Sequence, residues 1–172
     1  MKKIRRGMFE TNSSSTHTII ITDERCEPGC AVDFRIGEFG WKGGVYYDVD
    51  SKASYIYTLA CALLGRDVYQ DFCDMLSKYG VDCECSRHAE FVIGTYGGKQ
   101  YTYLNNGHVD HDYEGRDLVD AIFADEDRLI RFLFSDDSFV VTCNDNMDED
   151  ERKEWEDSAV VSYPHEEYYK GN

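Results

Sequence analysis

Proline is nearly absent, with 2 residues in a chain of 172. Long proline-rich linkers are thereby excluded, and the length fits a single domain. No run approaches the roughly 18 apolar residues that mark a membrane-spanning helix. The basic opening Met1-Lys2-Lys3-Ile4-Arg5-Arg6 is not followed by an apolar stretch or a small-residue cleavage site, so no secretory signal is expected. Positive charge is scarce: 18 Lys and Arg stand against 34 Asp and Glu, a formal net charge of −16. Direct nucleic-acid binding draws on a basic footprint and is not expected here. Two catalytic signatures are missing as well. There is no Gly-x-Ser-x-Gly elbow and no Gly-x-x-x-x-Gly-Lys-Ser/Thr phosphate loop.

What is present describes a folded globule. The hydrophobic fraction is 42%, and 13 Tyr, 9 Phe and 2 Trp supply large core side chains. A chain of this length buries a core without covalent staples. Seven cysteines, an odd number, are expected to be reduced thiols in a cytoplasmic protein.

Along the chain, Thr16–Thr22 is β-branched and apolar and reads as a strand. Ala31–Phe39 alternates apolar with polar residues, as a half-buried strand does. Val45–Val49 reads as another short strand. Ser51 is placed to cap a helix whose stripe includes Tyr55, Leu59, Ala62 and Leu63, and Gly65 to stop it. A second helix is expected over Asp67–Lys78. Val81–Cys85 and Phe91–Tyr96 read as strands, and Gly97-Gly98 as a tight turn returning into Gln100–Leu104. Asp117–Phe123 is helical in pattern. Asp125 caps a further helix, with Glu126 and Asp127 in its first turn and Leu129, Ile130, Phe132 and Leu133 on its core face. Ser138–Cys143 is a strand, and Met147–Trp155 a charged helix. Strands and helices come in mixed groups, which predicts an α+β fold: one domain over 1–172, a mixed, mainly antiparallel sheet with several packed helices, and an acidic C-terminal helix and tail from about 145 to 172.

Four sets of residues could carry chemistry. Ser13-Ser14-Ser15-Thr16-His17 puts hydroxyls beside an imidazole, the pairing that activates a nucleophile, although such loops also satisfy their own backbone. His108-x-Asp110-His111 alternates imidazole and carboxylate, as metal sites and oriented histidines do. If the protein is an enzyme, His17, Ser14, His108, Asp110 and His111 are its candidate catalytic set. No cofactor is expected, but Cys26, Cys30, Cys83, Cys85 and His88 are weakly spaced candidates for zinc. Finally, Asp136–Asp157 holds ten carboxylates against Arg152 and Lys153. On a helix, acids three and four residues apart lie on one face, at a pitch that approximates backbone phosphates.

Arg6-Gly7-Met8-Phe9-Glu10-Thr11-Asn12-Ser13-Ser14-Ser15-Thr16-His17 resembles the opening of a group of small proteins carried by phages and prophages of Firmicutes and Bacteroidetes. His108-Val109-Asp110-His111 resembles that group's second block, with Asp112 and Tyr113 replacing its usual Gln-Ser. Phe132-Leu133-Phe134 through Ser138, then Asn144-Asp145-Asn146, resembles a third. The resemblance implies a protein acting in a host bacterial cytoplasm, and its mobile-element setting implies an antagonist of host defence. The expectation is an acidic inhibitor of anti-CRISPR type. It would bind the basic nucleic-acid channel of a CRISPR effector nuclease or another host nucleic-acid-handling protein, through Asp148, Glu149, Glu151, Glu154 and Asp137, with no direct contact to nucleic acid or membrane. A small metal-dependent or hydrolytic enzyme and a phage structural accessory protein are the alternatives.

Overall fold

A computed structural model describes residues 16–22, 24–40, 43–110, 112–143 and 166–171. One helix organises it. Ten consecutive residues of α1 (Val49–Leu64), Lys52 to Cys61, are buried, so the helix is enclosed on every side rather than along one stripe. Its buried serine and threonine hydroxyls are satisfied locally. Ser54 Oγ donates to the Asp50 carbonyl at 2.6 Å, and Thr58 Oγ1 to the Ser54 carbonyl at 2.7 Å. Gly65 ends the helix at φ 64°, a left-handed cap that glycine takes without penalty.

The start of α1 corrects the sequence reading. Asp48, not Ser51, is the cap: its Oδ1 accepts the Ser51 amide at 2.9 Å. The helix therefore begins at Val49, and the preceding strand is only Gly44–Tyr46. An acceptor three residues ahead of a serine competes with the serine for the role of cap, and the carboxylate wins here.

Among the described residues the strands form four small sheets. The largest is antiparallel, in the order β10 (Glu166–Gly171), β1 (Thr16–Thr22), β9 (Phe139–Cys143), β4 (Gly44–Tyr46). β1 lies inside it. Ile19, Ile20 and Ile21 are all buried, the mark of a strand covered on both faces. β2 (Ala31–Arg35) pairs parallel with β5 (Asp82–Arg87), and β3 (Glu38–Phe39) parallel with β8 (His108–Val109). The expected Ala31–Phe39 strand is thus two strands, broken at Ile36-Gly37. β6 (Phe91–Tyr96) and β7 (Lys99–Leu104) form a hairpin.

Among the described residues three further helices close the core. α2 (Tyr69–Ser77) buries Phe72, Met75 and Leu76. α3 (Arg116–Ala124) follows a 3₁₀ turn at Asp112–Gly115 and buries Leu118, Val119 and Ile122. α4 (Glu126–Phe134) has Asp125 as its cap, accepting the Asp127 amide, and buries Leu129, Ile130, Phe132 and Leu133 as its periodicity predicts. The architecture is α+β, a single domain. Among the described residues no helix is long and apolar enough to cross a membrane. The tail expected to follow the acidic helix contributes β10, which pairs with His17–Thr22 of β1. The helix expected over Met147–Trp155 lies outside the described residues.

Candidate functional site

Residues from three separated segments meet beside the N-terminal half of α1. His17 enters on β1 and is 4% exposed. Its Nδ1 lies 3.1 Å from the hydroxyl of Tyr55, one turn into the buried part of α1. Burial pushes the Tyr55 hydroxyl well above the usual phenol range, so it stays protonated and fit to donate. Phe39 stacks edge-on against both Tyr55 and Tyr46, with ring centroids 5.3 Å apart in each pair. The next residue, Gly40, has φ 106°. A Cβ there would stand 3.0 Å from His17 Nε2 and 2.4 Å from Asp110 Cβ. The missing side chain of Gly40 is what lets His17 and Asp110 approach each other.

Asp110 reaches this place through backbone pairing. β8 runs parallel to β3, and the Asp110 amide donates to the Phe39 carbonyl at 2.9 Å. His108, two residues earlier, pairs with Glu38 and is half-buried. So the structure brings His17 and Asp110 of the candidate catalytic set to one point and sets His108 on the neighbouring strand. Ser14 and His111 lie outside the described residues. Replacing Tyr55 with Phe removes only the hydroxyl that faces His17. It is expected to lower stability by about 1 kcal/mol, read by urea unfolding, because one buried hydrogen bond is lost while the ring contacts remain.

The zinc candidates are spread over several elements. Cys26 Sγ donates to the Ile130 carbonyl at 3.6 Å, facing α4. Cys30 is exposed, and its carbonyl accepts the Asp82 amide at 2.9 Å. Cys83 and Cys85 sit half-buried on β5. His88 lies past β5, edge-on to Tyr69 at 5.3 Å, with its Nδ1 3.7 Å from Asp67 Oδ2. Among the described residues no group of three or more His, Cys, Asp or Glu is placed to hold a metal ion. Burial raises the Cys83 and Cys61 thiols to about 12. A thiol so raised stays protonated at neutral pH and is a poor nucleophile.

No protein-family model, curated protein or solved structure matches this chain.

Two arrangements escape the sequence reading. The first is Lys52, 1% exposed in the core. Its Nζ donates to the carbonyls of Ser135 at 2.7 Å and Ser138 at 2.9 Å. Ser135 is the C-cap of α4, so the ammonium sits at the negative end of that helix and ties α1 to the turn leading into β9. Burial lowers Lys52 to about 8, against an opposing pull from Asp136. A signal was there: Lys52 falls three residues after Val49 and four before Ile56, inside the apolar stripe. The second is Tyr57, whose hydroxyl donates to Asp67 Oδ1 at 2.8 Å and accepts the Ala89 amide at 3.2 Å. Asp67 also receives the Tyr69 amide at 2.8 Å. This carboxylate thereby fastens α1, the start of α2 and the segment after β5. Of the candidate partner-binding acids, Asp137 is exposed on the turn between α4 and β9, its amide donating to Ser135 Oγ at 3.2 Å. Asp148, Glu149, Glu151 and Glu154 lie outside the described residues.

Proposed function

We propose that this chain is a non-catalytic acidic inhibitor that occupies the basic nucleic-acid channel of a host protein. A CRISPR effector nuclease is the type of partner we infer, and blocked DNA loading or cleavage the outcome. The observation that carries the reading is electrostatic. The chain has a formal charge of −16, and several of its few cations are engaged, one in the core and others in surface ion pairs or on backbone carbonyls. Lys52 is buried among carbonyls. Arg66 is bidentate to Asp71, Lys78 pairs with Glu126, and Arg116 with Asp120. Arg87 is directed at the carbonyls of Ile36 and Asn106. The excess of carboxylates, with Asp136 and Asp137 among the exposed ones, sets the potential, and a basic cleft built for phosphates attracts such a surface.

The test reverses Asp148, Glu149, Glu151 and Glu154 to Lys. Each reversal adds two charges, so the four take the formal charge from −16 to −8. Affinity for an isolated effector nuclease, read by titration calorimetry, is expected to fall by at least about 100-fold. Wild-type binding is expected to weaken as salt rises, since the attraction is screened. Binding that survives both changes would sink the proposal.

A hydrolytic enzyme is the second reading, and the convergence of His17 with Asp110 at Gly40 is what favours it. The two readings part on one variant. His17→Gln leaves partner capture unchanged under the inhibitor reading and abolishes turnover under the enzymatic one.

A further inference from the structure

The β6–β7 hairpin is chemically unlike the rest of the chain. Residues 91–109 contain no Asp or Glu, in a protein with 34 of them. Four large apolar side chains are exposed among the described residues, and three belong to this hairpin: Ile93 at 73%, Tyr96 at 62% and Tyr101 at 47%. Its base is anchored, with Leu104 buried, Phe91 packed on the core and the Asn105 amide donating to the Glu90 carbonyl at 2.7 Å. Its outer part stands clear of that core.

The two edges of the hairpin differ. Gly97 and Gly98 have φ 58° and 79°, the signature of a two-residue turn with positive φ at both positions. Such a turn makes Tyr96 and Lys99 a hydrogen-bonded pair, and pairs alternate from there. Phe91, Ile93 and Thr95 therefore turn their N–H and C=O groups away from β7, to the outer edge of β6. Thr102 does the same on β7, and its carbonyl lies 3.7 Å from where a Cβ on Gly65 would be, so β7 runs past the end of α1. Among the described residues no strand pairs with the outer edge of β6. Natural sheets blunt such edges with charge, proline or a bulge. Phe91–Tyr96 has no charge and no proline, and its register with β7 is unbroken.

We propose that β6 is a homodimer edge, pairing antiparallel with β6 of a second copy about a two-fold axis at Ile93. The same surface must then complement itself. This register does so, setting Ile93 opposite its own copy and Phe91 opposite the partner strand's Thr95. All of these are outward-facing positions, and each hydrogen-bonded pair exchanges two N–H···O bonds. On the other face Val92 falls opposite Gly94, the position over which Tyr101 and Tyr103 fold. A Cβ there would meet both rings at 2.9 Å, so one protomer's Val92 finds its partner's tyrosines. Charge decides where on the surface a second copy approaches. Two chains of −16 repel, and the acid-free hairpin is where they approach with least cost. The inference is independent of the inhibitor reading.

Sedimentation velocity on the full chain tests it. At about 100 μM the wild type is expected at twice its 19.8 kDa, in the concentration-dependent manner of a small interface. Higher salt is expected to tighten the dimer by screening like-charge repulsion, the opposite of its effect on a basic partner. Ile93→Lys sets two cations against each other on the axis and is expected to weaken the dimer at least about 100-fold. Tyr47→Lys, at an exposed site away from the hairpin, is expected to leave the dimer intact. A wild type that stays monomeric, an Ile93→Lys protein that stays dimeric, or equal loss in both variants would overturn the proposal. A monomer would leave the edge to an extended segment of another protein.

Discussion

Gly40→Ala is expected to lower the free energy of unfolding by about 3–5 kcal/mol, measured by urea denaturation. Two costs combine. The backbone at φ 106° lies where L side chains are rarely found, a strain of about 1–3 kcal/mol. The added methyl would also stand 2.4 Å from Asp110 Cβ, 3.0 Å from His17 Nε2 and 3.3 Å from the Asp110 amide nitrogen. Overpacking of this kind costs about 1–3 kcal/mol where neighbours cannot retreat. Retreat is hard here. Asp110 is held by the hydrogen bond its N–H donates to the Phe39 carbonyl, and His17 by β1 and Tyr55. Pairing the change with Asp110→Gly isolates the contact with the Asp110 Cβ. The double variant is expected to recover the part of the steric cost due to the Asp110 Cβ and to keep the backbone part and the contacts with His17 Nε2 and the Asp110 amide nitrogen. Equal stability of Gly40→Ala and wild type would mean that His17 and Asp110 do not converge as described.

Lys52→Ala is expected to cost about 4 kcal/mol at pH 7. The substitution opens a cavity among buried side chains and strips two carbonyls of their donor, against the release of a desolvated ammonium. Lys52→Met fills most of the volume and is expected to cost about half as much. Titration gives a second signature. Lys52 sits at about 8 in the fold against an ordinary 10.5. Between those values the unfolded chain holds the proton that the folded chain has released, so the contribution of Lys52 to stability rises with pH. The released amine still has two N–H groups for its two carbonyls. Cys61 and Cys83 act in the other direction. They are raised from 9.0 to about 12, so the stability they contribute is present below 9 and lost above it. Both variants share those thiols, and the difference from wild type isolates the lysine. From pH 8 to pH 9 the deficit of Lys52→Met is expected to grow by about 1 kcal/mol. A deficit that does not change with pH would show that Lys52 is not desolvated in the core.

The hairpin turn and the last helix show what short-range chemistry encodes. Gly97-Gly98 takes positive φ at both positions without steric cost, as a tight turn between two strand-forming runs requires. Asp125 ahead of two acids and a period of buried residues likewise places α4. Where two short-range signals compete, local reading slips. Val45–Val49 has the look of a strand, yet Asp48 accepts the Ser51 amide and the helix begins inside that stretch. The sequence grouped His17 with Asp110 as candidates by residue type alone. Nothing in the neighbourhood of His17 points to Asp110, because parallel pairing of β3 with β8 and a glycine between them make the meeting.

Composition, capping and turn chemistry are enough to define an acidic α+β domain and most of its elements, since each depends on residues within a turn or two of one another. Tertiary structure alone decided the partners. Thr22 lies opposite Glu166, Val32 opposite Cys83, and Lys52 beneath Ser135. Such pairings close long loops, and many alternatives of similar local quality compete for each strand. Only simultaneous burial around α1 selects among them. The same selection places a lysine in the core, joins His17 to Asp110, and leaves an acid-free strand at an open edge.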